Sequence, residues 1–255
     1  MNNIRGYFME PQNFSVNDGN GIRTVIFFAG CPLRCKWCAN PESHVNLNKI
    51  SQEKELIHCY SSEEILSIIE KQRIFYRFSG GGVTFSGGEA TLQVDMLREL
   101  VYKLYDKAID LAVETSGYFD IDEVKDILEK LNLIFIDIKH MDDEKHKFFT
   151  GVSNKEILKN IERLKELSVD IVVRIPVIDG VNSDKDNIRR TAIFLKDSVK
   201  EPKIEFLPYH SFGDIKYETL GKEKPSRDFK TPSDEYLKEL KKIVEDEGVE
   251  VVSYK

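Results

Sequence analysis

The sequence predicts an α/β fold: a mostly parallel sheet with helices packed outside it. Three observations carry this. Short apolar, β-branched runs alternate with segments of helical periodicity six times along the chain. The runs are nearly continuous in apolar residues, as strands covered on both faces are. No low-complexity linker or shift in composition divides the 255 residues, so they read as one domain.

The first run is Thr24-Val25-Ile26-Phe27-Phe28, ending in Ala29-Gly30. A helix from Ser61 to Gln72 follows, opened by Ser61-Ser62-Glu63-Glu64 in the manner of a capping box. Its Ile65, Leu66, Ile68 and Ile69 recur at helical spacing. Val83-Thr84-Phe85 is the second run, and a helix covers Gln93 to Asp106. Asp110 to Val113 is a strand, Ile121 to Lys130 a helix, Leu133 to Ile138 a strand and Lys155 to Glu166 a helix. Asp170 to Val177 and Lys203 to Leu207 are strands around a helix at Ser183 to Leu195. A last helix, Ser233 to Glu247, leads to Val249-Glu250-Val251-Val252. Partial barrel and open doubly wound sheet both fit this pattern.

Composition narrows the function classes. Lys and Arg number 37 against 44 Asp and Glu, a net charge of −7, which argues against a protein that grips nucleic acid by its backbone. Four cysteines are too few for a disulfide scaffold of this size. Met1 to Asn13 has no apolar core of the signal-peptide kind, and no run approaches the ~18 apolar residues that span a membrane. A soluble, cytoplasmic protein is expected.

In β/α folds chemistry collects at the C-terminal ends of the strands. Here the first run is followed by Cys31, Cys35 and Cys38, and the second by Ser86-Gly87-Gly88-Glu89. The later ones end in Glu114-Thr115-Ser116-Gly117, Asp137-Ile138-Lys139-His140, Arg174-Ile175-Pro176 and Leu207-Pro208-Tyr209-His210. Every strand end thus delivers polar, ionisable or thiol groups to one rim. Three thiolates spaced C-x3-C-x2-C can hold three corners of a cubane iron–sulfur cluster and leave one iron open. The competing reading, a zinc site completed by Cys59, lacks the second short knuckle such sites usually have. Cys59 reads as a plain cysteine, or as a packing residue under the helix. Gly87-Gly88 lets backbone approach a ligand, and Glu89 could read an amino group. Glu114 and Asp137 suit a cation or a solvated rim equally. Lys139 and Arg174 could neutralise a carboxylate, and His210 could pack on an aromatic ligand. Phe148-Phe149 and Phe75-Tyr76 are read as core or helix-packing aromatics.

These residues resemble the radical S-adenosylmethionine superfamily. More narrowly, the chain resembles the glycyl-radical-enzyme activating enzymes, the group that contains the pyruvate formate-lyase activating enzyme. The resemblance is carried by Asp18 to Thr24, Gly30 to Ser43, Ser79 to Glu89, Glu114 to Gly117, Asp137 to Lys139 and Leu207 to His210. It implies a partial, six-unit β/α barrel. It also implies one 4Fe–4S cluster on Cys31, Cys35 and Cys38, with S-adenosylmethionine on the open iron. By motif match Gly88 and Glu89 contact the methionyl amino group, and Thr115, Lys139 and Arg174 lie around the methionyl and ribose portion. Asn40, Pro176, Leu207 and His210 lie near the adenosine. Glu114 and Asp137 match a monovalent-cation position, and Asp18 a loop that faces the partner's glycine.

The resemblance further implies a glycyl radical enzyme as protein substrate, a flavodoxin or ferredoxin as electron donor, and a monomer. Ala90 and Asn20 stand where the family usually carries proline. Many relatives have a cysteine-rich, ferredoxin-like insert after the first motif. Between Cys38 and Gly80 this chain has only Cys59, so a single-cluster, single-domain activase over residues 1–255 is expected. The other readings are a small-molecule radical S-adenosylmethionine enzyme and a metal-stabilised binding module.

Overall fold

The computed structural model describes residues 4–49, 56–223 and 229–254; the first three residues of the Met1–Asn13 stretch lie outside them. Along the chain run β1 (Arg5–Phe8), β2 (Gln12–Ser15), β3 (Arg23–Phe28), β4 (His58–Ser61), α1 (Ser62–Glu70), α2 (Arg73–Ser79), β5 (Gly82–Gly87) and α3 (Val94–Tyr105). Then come β6 (Asp110–Thr115), α4 (Ile121–Leu128), β7 (Leu133–Asp137), α5 (Asp143–Thr150), α6 (Lys155–Leu164) and β8 (Asp170–Val177). The chain ends with α7 (Lys185–Ser198), β9 (Lys203–Pro208), α8 (Gly213–Thr219), α9 (Asp234–Asp246) and β10 (Glu250–Val251). The six expected strands and their helices are present. The predicted capping box closes at the start of α1, where Ser61 Oγ accepts from Glu64 N and Glu64 Oε2 accepts from Ser61 N.

The strands form one sheet in the order β10-β9-β8-β7-β6-β5-β3-β1-β4, with β2 on β3. From β3 through β10 every neighbouring pair is parallel, so the six β/α units follow one another around an open, partial barrel. The pattern did not anticipate β1, β2 and β4, which add an antiparallel edge. Nor did it anticipate α2, α5 and α8, which are only 7, 8 and 7 residues long. Among the described residues no helix is long and apolar enough to cross a membrane.

The two faces of the sheet differ, which corrects the expectation of strands covered alike on both sides. Outward positions such as Ile26, Phe28, Val83, Phe85, Val113, Ile134, Ile136, Val173 and Ile204 enter the main core with Leu97, Leu100, Ile127, Ile161, Ile188 and Leu240 of the helices. Each such side chain contributes about 1.5–3 kcal/mol on burial. The intervening positions point into the barrel. A small apolar plug of Ala112, Leu133, Phe135 and Val172, backed by Tyr254, fills part of that interior. The rest is polar. Arg23, fully buried, donates to Thr84 Oγ1 at 2.6 Å, Asp110 Oδ1 at 2.7 Å and the carbonyls of Val83 and Asn20. Further along the same face, register pairs Asp137 with Arg174 and Arg174 with Glu205. The even apolar look of the runs hid these charges because each strand contributes only one or two.

Candidate functional site

A cavity of about 580 Å³ opens at the C-terminal ends of the parallel strands. Its size suits a small-molecule ligand. It is lined by all three clustered cysteines and by Asn40, Gly88, Glu114, Thr115, Asp137, Lys139, Pro176, Leu207 and His210. Asn17, Trp37, Ser86, Ser116, Tyr209 and Phe212 line it too, although they were not singled out as site residues.

The cysteine loop leaves β3 and is tied down on two sides. Arg34 N donates to Thr150 O at 2.7 Å and Lys36 N to Phe149 O at 3.0 Å, so the end of α5 forms a short ladder with it. Trp37 packs on Phe149, while Lys36 Nζ sits 3.3 Å from the centre of the Phe148 ring. Phe148 is 65% exposed and so is not a core residue; α5 turns it toward solvent over the loop, with its ring against Phe149. Phe75 likewise is 37% exposed, whereas Tyr76 is buried.

All three thiols are free. Burial pushes Cys31 and Cys35 up to about 12, and Glu89 adds to the rise at Cys31. Cys38 is also raised, again by burial. Thiols held this way stay protonated until a cationic centre takes them, and binding then releases their protons. A set of three soft donors on one cavity wall fits a cubane with one open iron. Among the described residues no three His, Cys, Asp or Glu side chains gather around one ion position. Cys59, the fourth ligand of the zinc reading, does not line the cavity. It sits on edge strand β4 opposite Tyr7, where its sulfur accepts from Arg5 Nε at 3.4 Å.

Lys139 supplies the nearby positive charge. Burial works against its ammonium, but Asp137 at 2.7 Å, and Cys35 and Cys31 once ionised, outweigh that and raise its pKa. Gly88 has no room for a side chain, since a Cβ there would lie 2.1 Å from Gly30 O. Its N–H donates to Phe28 O at 2.9 Å and that of Glu89 to Gly30 O at 2.8 Å, which holds β5 against the root of the cysteine loop.

Three expected site residues do not line the cavity: Glu89, Arg174 and Asp18. Glu89 is fully buried, and its carboxylate accepts from Thr115 Oγ1, Ser116 N, Ser116 Oγ and Thr91 Oγ1. It thereby fixes the end of β6 behind the cavity wall. Arg174 lies one layer deeper. It donates to Glu205 at 2.8 Å, to Glu114 and to Asn17 O at 2.9 Å, and its guanidinium stacks 3.5 Å from the Phe135 ring. Burial pushes the Glu114 carboxyl up to about 7 against the opposing pull of Arg174. Asp18 accepts from Ser15 Oγ, and its carbonyl accepts from Thr84 Oγ1 at 2.6 Å. The 17–20 loop is therefore hung from the barrel interior by Arg174, Thr84 and Arg23. No local sequence signal reveals these links, because they join residues far apart in the chain.

The comparisons with known proteins agree with this architecture. The Radical SAM superfamily profile matches residues 25–192. The chain is 34% identical to a trans-4-hydroxy-L-proline dehydratase activating enzyme of Clostridioides difficile, covering 92% of this chain and 94% of that one. It belongs to the radical SAM superfamily, among the activating enzymes of glycyl radical enzymes. A pyruvate formate-lyase-activating enzyme of Clostridium pasteurianum is 33% identical, over 95% of this chain and 98% of its own. The crystal structure of a domain of pyruvate-formate lyase-activating enzyme from Bacteroides vulgatus ATCC 8482 is 34% identical with a TM-score of 0.58. It covers 68% of this radical SAM chain and 98% of its own.

His44, just beyond the 3-10 turn Pro41–Ser43, offers a test of how the loop is packed. Burial, with Arg34 and Lys222 nearby, brings its pKa from 6.5 down to about 4. The folded protein therefore binds fewer protons than the unfolded chain between those values, and stability falls as the pH drops through 6.5 toward 4. In the metal-free protein, His44→Gln is expected to flatten the fall in Tm over that window. An unchanged slope would place His44 in solvent.

Proposed function

We propose that this chain is an activase that reductively cleaves S-adenosylmethionine at a 4Fe–4S cluster and removes a hydrogen atom from a backbone glycine of a partner glycyl radical enzyme. The observation that carries this is that the three C-x3-C-x2-C thiols line one cavity with Gly88, Thr115 and Lys139, in a chain about a third identical to activating enzymes over most of its length.

The cluster, when bound, supplies the electron that breaks the sulfonium C–S bond. Cys31, Cys35 and Cys38 hold it, and Lys139 balances their charge while Asp137 fixes Lys139. Thr115, held by Glu89, and Gly88 frame the methionyl end; Lys139 and, from beneath, Arg174 set its charge balance. Asn40, Pro176, Leu207 and His210 shape the adenosine end and keep water from it. Glu114 and Asp137 already hold Arg174 and Lys139, so a monovalent cation would share carboxylates with these side chains. The Asp18 loop receives the partner's glycine segment, and its backbone anchoring fits it to that role. A flavodoxin or ferredoxin serves as outside donor to a cytoplasmic monomer.

The single-domain reading has support of its own. The alignment with the dehydratase activating enzyme runs over 285 positions, more than this chain possesses, and that with the C. pasteurianum enzyme over 243. The former relative thus carries segments absent here.

The test is electron paramagnetic resonance. Reconstituted, reduced protein is mixed with S-adenosylmethionine and candidate glycyl radical enzymes, and a glycyl signal on one of them is expected. Deoxyadenosine released with a small metabolite, and no glycyl signal with any partner, would favour the small-molecule reading. A colourless protein that retains one zinc under the same conditions would leave only the binding module.

A further inference from the structure

The C-terminal end of α5 lies against the cysteine loop. Besides the two backbone bonds that tie Arg34 and Lys36 to it, a Cβ on Gly151, the residue that caps the helix, would come 3.8 Å from Arg34 Cβ. Phe148 is held out to solvent at this join. Its ring centre lies 4.9 Å from that of Phe149, which lies 5.7 Å from that of Trp37, the residue before Cys38. Two ring contacts thus lead from solvent to the neighbour of a cysteine that the proposed function makes a cluster ligand. Phe148 does not line the cavity, so a glycine segment entering there has no need of it.

The surroundings of the ring are cationic. Lys36 Nζ sits 3.3 Å from its centre, and the exposed Arg34 donates to the carbonyls of Cys31 and Leu33. Lys145 lies one turn before Phe148 on the same face of α5. Among the described residues none of these three cations forms an ion pair with a carboxylate, because the acids at the start of the helix are engaged elsewhere. Asp142 caps it through Lys145 N, and Asp143 and Glu144 both pair with Lys147. The chain as a whole carries a net charge of −7. An acidic protein is repelled over most of such a surface and drawn to a local cluster of unmatched cations, which fixes where it lands. One aromatic ring with charges around it also has the scale of the small, transient contacts through which electron-transfer proteins meet.

We propose that Phe148, with Lys36, Arg34 and Lys145 around it, is the docking surface for an acidic flavodoxin, whose exposed flavin edge stacks on the Phe148 ring. This rests on the cluster reading given above and adds to it a place for the electron donor on this chain. In the docked pair the reduced flavin is oxidised by one electron and the cluster is reduced by it; no bond forms or breaks. A ferredoxin, whose cluster lies beneath backbone, offers no flat ring to Phe148.

Reconstituted wild type is compared with Phe148→Ser, Lys36→Glu and Phe148→Tyr. Affinity for a purified flavodoxin is measured by calorimetry at low and physiological ionic strength, and S-adenosylmethionine cleavage is driven in parallel by dithionite and by reduced flavodoxin. Phe148→Ser and Lys36→Glu should each weaken flavodoxin binding about tenfold, and wild-type binding should weaken as salt rises. Both variants should keep wild-type iron content and dithionite-driven cleavage, while flavodoxin-driven cleavage falls with affinity. Phe148→Tyr, which keeps a flat ring, should bind as wild type does. Unchanged affinity in Phe148→Ser and Lys36→Glu would overturn the proposal, as would a wild type that binds no flavodoxin. Variants that bind flavodoxin normally but lose affinity for a ferredoxin or a glycyl radical enzyme would overturn it and give the surface to that partner. Loss of iron or of dithionite-driven cleavage in Phe148→Ser would also overturn it, since the ring would then serve the cysteine loop itself. A wild type that loads no cluster would instead refute the underlying function, a failure distinct from a loaded protein with unaltered docking.

Discussion

Cys35→Ala is expected to lose the broad iron–sulfur absorption near ~400 nm and all glycyl-radical formation. Cys35 is the most buried of the three thiols, at 8% exposure, and the backbone around it is pinned to α5. Two remaining thiolates cannot hold a cubane in place. Cys59→Ser serves as the counter-test. Cys59 lies on edge strand β4, away from the cavity, so that variant should load iron and turn over nearly as wild type does. Iron per chain and the absorption spectrum after anaerobic reconstitution measure both. A Cys35→Ala protein with full iron content would refute the ligand assignment, and an iron-free Cys59→Ser would refute the reading of Cys59 as a bystander.

Arg174→Met should destabilise the metal-free protein by about 3–5 kcal/mol, the usual cost of stranding a buried charge. Arg174 is 6% exposed and Glu205 2%, with Glu114 on the other side of the guanidinium. Removing the cation leaves the buried carboxylate of Glu205 facing the partly buried one of Glu114 across a methionine. The sign of the pH dependence follows. Glu114 already stands at about 7 because of burial, and Arg174 is what restrains it. Without that restraint its folded-state pKa rises further above the unfolded value, so the folded protein binds the proton more tightly. The part of the deficit that Glu114 carries is then greatest well above pH 7 and is lost as the pH falls to about 7, below which its carboxyl is protonated in both folded proteins. Urea denaturation at several pH values measures it, and Arg174→Met with Glu205→Leu should recover part of the loss. A single variant within about 1 kcal/mol of wild type at pH 8 would contradict the buried network. The same substitution frees Asn17 O, so the 17–20 loop should gain hydrogen exchange even where the fold survives.

Much of the site was legible because its signals are local. Cys31, Cys35 and Cys38 lie within eight residues, and the end of each apolar run marks the end of its strand. Convergence on one rim then follows from parallel topology alone, since six parallel strands put six C-terminal ends on the same side. The short antiparallel strands β1, β2 and β4 escaped notice for the opposite reason. At four residues each, with Arg5, Gln12, Asn13 and His58 among them, they show no periodicity and exist only through their pairing partners. α8 is similar, about two turns of helix held by Lys216 and by contact with the Cys38 backbone.

The sequence by itself determined the family, the six β/α units, the three thiols and most of the cavity wall, because spacing and strand ends are properties of neighbouring residues. Only the tertiary structure decided that Glu89 and Arg174 support the cavity from behind, that Cys59 stands apart, and that α8 packs against the backbone of the cysteine loop. The physical reason is that a buried polar group is defined by its partners. Glu89 finds them on β6, Arg174 on β6 and β9, and the cysteine loop on α5 and α8. Those pairings depend on register and on which strands lie side by side, and neither is written in any one segment of the chain.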